Sequence, residues 1–350
     1  MNSRSRLLLS IGLPVLLIII VVGAFLMQRN ALGNTNTTAS HGSQKLTTMT
    51  LALDWTPNTN HTGIYAALKN GWYRDEGINL QLLPYSNNVS PDVLVSSGKA
   101  DVGISSTESI VADAAVGQPV VSIAAIIQHN TSALVSLASS GLSRPQDFDG
   151  KVYGAFGAPY ENAVIGEIIK HDGGKGNFKS VTLSVDAMQA LESHRIDFVW
   201  VFEGWEVLQA ERQGYKLNVM PIVDYGIPDY YTPNIITGPK EMQQKADLLH
   251  RFMAATSKGY DYARTNPQQA AQDLIDLAPK GTFPDTGLVF ASQQFLSPRY
   301  VDTGRTWGMQ DASAWQGYPE FMLQNGGVQD ASGKTVTSLN LNALYTNQFL

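Results

Sequence analysis

Cysteine is absent from all 350 residues. That excludes disulfides, thiolate metal sites, a cysteine nucleophile and lipid attachment through an N-terminal cysteine. Charge is scarce as well: Asp, Glu, Lys and Arg make up 15% of the chain, and the net charge is −6. Such a balance offers no surface for nucleic acid or anionic lipid. The six histidines show no His-x-x-x-His or other metal-ligand spacing. Gly103-Ile104-Ser105-Ser106-Thr107 lacks the second glycine of a nucleophile elbow. No internal repeat is present.

What the chain does have is 43% hydrophobic residues and length enough for two domains of ordinary size. Arg4 and Arg6 precede an apolar run from Leu7 to Met27. Its length suits a membrane-spanning helix better than a signal-peptide core, and no small-x-small cleavage site follows. Residues 1–29 are therefore expected to be a membrane anchor or signal segment, with retention of the anchor favoured. Residues 30–45, rich in Asn, Thr, Ser and Gly, read as a flexible tether. Everything beyond is then extracytoplasmic, held to the membrane through the N-terminal helix.

From Leu51 the pattern becomes α/β. Leu51–Leu53 is a short apolar strand, Asp54 to Asn60 a polar loop, and Thr62 opens a helix that Gly71 stops. Ile78–Leu82 alternates as a strand does, and Ser90 before Pro91 is an N-cap followed by a first helical residue. Val102–Ile104 and Val120–Ile127 read as strands, and Ser105 to Glu108 has capping-box spacing between them. A second unit is expected from Asp149, with strands near Lys151–Phe156, Val181–Val185, Ile196–Phe202 and Tyr215–Val223. Strands alternating with helices this regularly predict mostly parallel sheets.

In open α/β sheets ligands bind at the loops after the carboxyl ends of strands. Four such loops carry chemistry here. The first holds Asp54, Trp55, Asn60 and His61; the second Ser105, Ser106 and Glu108; the third Tyr160 and Glu161; the fourth Glu203 and Trp205. Tyr85, Tyr225 and Tyr230 add to the aromatic content, which suits a planar heteroaromatic ligand. Each group has a structural counterpart: helix capping for Ser105 and Glu108, dipole compensation for Tyr160 and Glu161, and inter-domain packing for Trp205. Tyr225 to Tyr231 also reads as a surface cluster on a turn, and His61 as a loop-orienting histidine.

The run Asp54-Trp55-Thr56-Pro57-Asn58-Thr59-Asn60-His61-Thr62-Gly63 resembles solute-binding proteins of ABC importers for thiamine-pyrimidine precursors. Weaker similarity follows at Gly71–Gly77, Ser97–Gly103, His171–Gly174 and Tyr225–Pro228, so it spans roughly 46 to 298. The resemblance implies a type II periplasmic-binding-protein fold, two α/β domains joined by two crossings with the ligand cleft between them. The expected bounds are 46–148 and 238–303 for the first domain, 149–237 for the second, and 304–350 as a tail packed on the first. It further implies capture of an aminopyrimidine by domain closure, delivery to an ABC permease driven by its ATPase, and no cofactor. Riboflavin-binding and sulfonate-binding components share the fold and remain alternatives. The carboxylates Asp54, Glu108, Glu161 and Glu203 suit ligand amino groups, and no arginine lies in these loops to hold a sulfonate. The resemblance also reaches the eukaryotic thiamine-pyrimidine synthase, which consumes its own histidine together with pyridoxal phosphate. Where that enzyme has its lysine and histidine, this chain carries Ser105 and Ser109, and the enzyme's cysteine-rich run has no counterpart. Without the lysine there is no Schiff base, so a binding protein and not an enzyme is expected.

If the anchor is retained, amino-terminal sequencing of protein extracted from membranes begins at or near Met1. A start within residues 30–45 would show cleavage.

Overall fold

The computed structural model describes residues 45–86, 88–183 and 187–350. The apolar run Leu7–Met27 and the segment after it lie outside the described residues, as do Asn87 and part of the expected strand at Val181–Val185. Among the described residues no helix is long and apolar enough to cross a membrane.

Among the described residues ten strands form two five-stranded sheets: β1 Thr47–Ala52, β2 Ile78–Leu83, β3 Val102–Ser105, β4 Val121–Ala125, β5 Ser132–Leu137, β6 Val152–Ala155, β7 Lys179–Thr182, β8 Phe198–Phe202, β9 Leu217–Pro221 and β10 Asn234–Thr237. The first sheet runs β2-β1-β3-β10-β4 and the second β7-β6-β8-β5-β9. Helices pack on both, giving two α/β domains. The apolar positions of β1, β3 and β10 (Met49, Leu51, Val102, Ile104, Ile235) are fully buried in the first core. In the second, Phe148 stacks on Phe198 with ring centroids 4.0 Å apart.

The sheets are mixed, not mostly parallel. In the first, β1 pairs in parallel with β2 and β3, whereas β10 is antiparallel to both β3 and β4. In the second, β6 is parallel to β7 and β8, whereas β5 is antiparallel to β8 and β9. The reversed strand of each sheet is the one that arrives from the other sheet. The crossings are therefore 126–131 and 222–233, and β5 enters the second sheet upstream of Asp149, where the sequence places the start of that unit. A strand delivered by a crossing has no helix between it and its neighbour, so the βαβ pattern gives no sign of it.

His129 on the first crossing lies 2.5 Å from Asp229 on the second and 3.2 Å from Asp302 on the first domain. The amide of Asn130 also donates to Asp229, at 2.8 Å. One carboxylate thus ties the two crossings together. The tail from residue 304 runs along the outer edge of β4: Ala125 N donates to Gly308 O and Ser122 N to Leu344 O. Its Trp307 stacks on Tyr260 at 4.2 Å, and its helix Ala312–Gln324 brings Tyr318 against Tyr230 and Glu108.

The loop after β1 is held by a close helix crossing. Helix Thr62–Lys69 packs on helix Ala246–Thr265 where Gly63 faces Gly259 and Tyr260; a Cβ at Gly259 would stand 2.0 Å from Gly63 O. Tyr260 and Tyr300 then donate their hydroxyls to Asn60 O at 2.7 Å and Thr59 O at 2.6 Å. Two glycines permit the approach and two phenols fix the loop. Gly259→Ala is expected to cost at least about 1–3 kcal/mol, because neither backbone can yield without moving the helix. Denaturant unfolding of the variant measures it; an unchanged midpoint would show that the two helices slide apart freely.

Candidate functional site

A cleft of about 550 Å³ lies between the domains. It collects the loops after β1, β2, β3 and β6 together with the second crossing. Ten of the fourteen residues expected from the sequence line it: Asp54, Trp55, Asn60, Tyr85, Ser105, Ser106, Glu108, Tyr160, Glu161 and Tyr230.

The remaining four are placed elsewhere. His61 is fully buried behind Asp54. Its Nδ1 accepts the Asn58 amide at 3.3 Å, so Nε2 carries the proton and donates to Asp54 Oδ1 at 2.8 Å. It orients the carboxylate and does not line the cleft. Glu203 follows β8, its amide donating to Thr131 O, while the preceding residue Phe202 faces the cleft. The chain enters a π-helical turn at Glu203–Val207, and the Glu203 carboxyl lies outside the cleft lining, near Arg299 and Asp224. In that turn Trp205 packs against Phe283 of the first domain, ring centroids 6.3 Å apart, and Gly204 O accepts from Ser292. Arg212 grips Asp285 bidentately beside them, at 2.7 and 3.0 Å. This flank joins the domains, so for Trp205 the packing alternative describes the structure. Tyr225 lies near Asp172 and Arg144, against the second core and outside the cleft.

Helix capping sorts the serines. Ser106, not Ser105, is the N-cap of helix Thr107–Ala115, accepting from Ser109 N at 3.1 Å. Ser105 belongs to β3 and donates its hydroxyl to Asp92. Glu108, expected at the capping-box position, turns inward: its Oε1 accepts from Tyr230 at 2.5 Å and from Tyr318 at 3.3 Å. Its Oε2 is buried without a hydrogen-bond partner among the described residues, with the Ser106 hydroxyl nearby. Burial raises the Glu108 carboxyl above the usual carboxylate range, against the lowering effect of these hydroxyls. Glu161 is fully engaged. It accepts from Tyr153 OH at 2.7 Å, Phe156 N at 2.9 Å and Ala158 N at 2.5 Å, and so fixes the loop after β6.

Several lining residues were not singled out from the sequence. Asp92 sits in the first turn of helix Pro91–Ser96, where an acidic residue reads as dipole compensation. Burial raises its carboxyl, and it shares a hydrogen bond with Asp113, whose carboxyl is pushed up to about 8 by burial and by the Asp92 charge. Burial and mutual repulsion favour a single proton shared by the two carboxyls. Phe156, 66% exposed, ends the predicted strand and points its ring edge at Trp55, centroids 6.2 Å apart. Trp55 is itself 42% exposed and meets Tyr85 at 4.7 Å. Trp200 and Thr232 complete the walls. The lining thus holds four carboxylates (Asp54, Asp92, Glu108 and Glu161) beside an aromatic mouth, and no Lys, Arg or His among the described lining residues.

The shared proton has a pH signature. A carboxyl raised in the folded state stabilises it while protonated; that contribution is lost as pH rises from about 4, the unfolded value, through about 8. Asp113→Asn is expected to raise the melting temperature at pH 8 and to flatten its decline between pH 4 and 8. A decline of parental steepness in the variant would show that the pair does not share a proton.

Comparison with known proteins agrees with this architecture. A formylaminopyrimidine-binding protein of Halalkalibacterium halodurans is 26% identical over 292 residues, covering 81% of this chain and 87% of the relative. A 4-amino-5-hydroxymethyl-2-methylpyrimidine phosphate synthase of Legionella pneumophila is also 26% identical, over 264 residues, 74% of this chain and 83% of the relative. Among solved structures, the periplasmic aliphatic sulphonate binding protein of Escherichia coli superposes with a TM-score of 0.63 at 13% identity, covering 86% of this chain and 98% of that one. That last likeness establishes the periplasmic-binding-protein fold. The NMT1/THI5-like family profile matches residues 58–270, well over half the chain, and the protein belongs to that family.

Proposed function

We propose that this protein is the extracytoplasmic solute-binding component of an ABC importer and captures a thiamine-pyrimidine precursor, an aminopyrimidine, between its domains. The observation that carries the reading is the cleft lining: acceptor carboxylates without a cationic side chain, beside the Trp55–Tyr85 pair and Phe156. An aminopyrimidine offers in-plane N–H donors to such acceptors and a flat ring to such aromatics. Its relative from Halalkalibacterium halodurans is named for a ligand of this class. Closure about the crossings 126–131 and 222–233 would bury the ring and present a closed face to the permease. The apolar run Leu7–Met27 would keep the protein at the membrane beside permease and ATPase.

The sulfonate reading is disfavoured by the same lining, since carboxylates repel an anion. Riboflavin remains the runner-up, because its flavin ring would use the same aromatics, although its pyrimidinedione offers one ring N–H and two repelled carbonyls. The relative from Legionella pneumophila is named as a synthase. Here Ser105 lies in the cleft with its hydroxyl on Asp92, and among the described lining residues no lysine is available for a Schiff base. A binding role fits better than catalysis.

Calorimetric titration of the full-length protein with 4-aminopyrimidines, riboflavin and taurine tests the assignment. A pyrimidine is expected to bind most tightly, with a dissociation constant of about 1 μM or below. Asp54→Asn is expected to weaken it about tenfold or more, as loss of a charge-assisted hydrogen bond implies. Trp55→Ala is expected to cost about 1 kcal/mol of binding with the melting temperature of the free protein nearly unchanged. Tighter binding of riboflavin or taurine than of any pyrimidine would overturn the ligand assignment.

A further inference from the structure

The four carboxylates of the cleft differ in how far the protein satisfies them. Glu161 accepts three hydrogen bonds and is spent on its own loop. Asp92 is met by the Ser105 hydroxyl and by the proton it shares with Asp113. Asp54 gives Oδ1 to His61, and its Oδ2 has no hydrogen bond among the described residues. Glu108 gives Oε1 to two phenols and leaves Oε2 unpartnered. The groups facing Glu108 from other elements are Tyr230 of the second crossing, Tyr318 of the tail helix and Tyr160 of the second domain, each a neutral phenol. Those facing Asp54 are Tyr85, Asp92 and Tyr260, with His61 donating to it from behind. Negative charge in a cleft with low-dielectric walls and no cationic side chain among the described lining residues focuses a strong attractive potential for a cation. The exposed aromatic rings of Trp55 and Phe156 at the mouth reinforce the same preference.

We propose that the cleft selects its ligand as a cation: a flat aromatic ring with a protonated amidine-type edge, for which Asp54 and Glu108 are the counter-ions. This deepens the reading given above and rests on it only for the ligand's identity. An aminopyrimidine becomes such a cation when a ring nitrogen conjugated with its amino group takes up a proton. That nitrogen then donates, the amino group donates beside it, and the charge is delocalised in the ring plane. Glu108, whose burial disfavours its lone charge, becomes favourable as a carboxylate once the cation arrives. The proton is conserved: it sits on Glu108 in the empty cleft or comes from solvent with the ligand, and rests on the ring in the complex.

The test uses probes that separate charge from pyrimidine identity. Benzamidine, a permanent planar amidinium, and benzamide, its neutral counterpart of the same shape, are titrated calorimetrically into the full-length protein. Two 4-aminopyrimidines that differ only in ring basicity, one with a 5-fluoro and one with a 5-methyl substituent, are titrated alongside. Benzamidine is expected to bind at least about tenfold more tightly than benzamide. The less basic pyrimidine is expected to bind more weakly, and increasingly so as pH rises. Glu108→Gln is expected to shrink the benzamidine preference to within about threefold; should that variant fail to fold, Asp54→Asn supplies the same readout. Equal binding of benzamidine and benzamide with no effect of ring basicity would overturn the inference while leaving the pyrimidine assignment standing. Binding of benzamidine but of no pyrimidine would support the inference and overturn that assignment instead.

Discussion

The chain crosses from the first sheet to the second and back, and the first sheet is completed by β10 only on that return, after all five strands of the second have been laid down. β5 reaches the second sheet straight from the first, and β10 makes the return journey, and each slots in antiparallel beside the parallel strands already there. Because a central strand must pair on both edges, β3 and β4 stay unpaired on one side until the second crossing returns β10 between them. The crossings therefore lie against each other, tied through His129, Asn130 and Asp229, with the loops after β1, β3 and β6 brought round one cleft. The position of the cleft is a consequence of this exchange.

The same constraint explains why the cleft walls are well ordered by hydrogen bonds from a distance. Asp54 is aimed by a buried imidazole, whose own tautomer is set by the Asn58 amide. The backbone of that loop is anchored by phenols from Tyr260 and Tyr300, residues some 200 positions downstream. Glu108 is anchored by phenols from the second crossing and from the tail. Each hydrogen bond contributes only about 0.5–1.5 kcal/mol net, but a buried carboxylate left without them would cost more than any one of them supplies. Preorganisation here means that acceptors stand ready before a ligand arrives, so little ordering entropy opposes binding.

The domains also meet away from the crossings. Trp205 on Phe283, Ser292 on Gly204 and Arg212 on Asp285 join the π-helical turn after β8 to the first domain. The exposed Arg212–Asp285 pair is worth little by itself, so the contact is cheap to break and remake. Such a flank suits a cleft that has to open, whereas the buried phenol and carboxylate contacts suit walls that stay rigid.

Local patterns were enough for much of this. Strand-loop-helix corners with capping serines announced the α/β class, and loops after strands announced where Asp54, Trp55, Ser106, Glu108 and Tyr160 would gather. What sequence alone determined is therefore the chemistry on offer: carboxylates and aromatics, with no cation among them. It could not determine sheet membership, because β5 and β10 pair with strands far along the chain and carry no periodic mark of direction. Nor could it separate Glu203 from Glu161, since both follow apolar strands, and only the folded chain leaves the first outside the cleft lining. His61 reads as a ligand contact, and Asp92 passes unnoticed, for a shared reason. Burial decides whether a polar side chain meets the ligand or holds one that does, and burial is a property of what the distant chain lays over it. The tertiary structure alone placed His61 behind Asp54, brought Asp92 beside Asp113, and left Glu108 with an oxygen that nothing in the described protein answers.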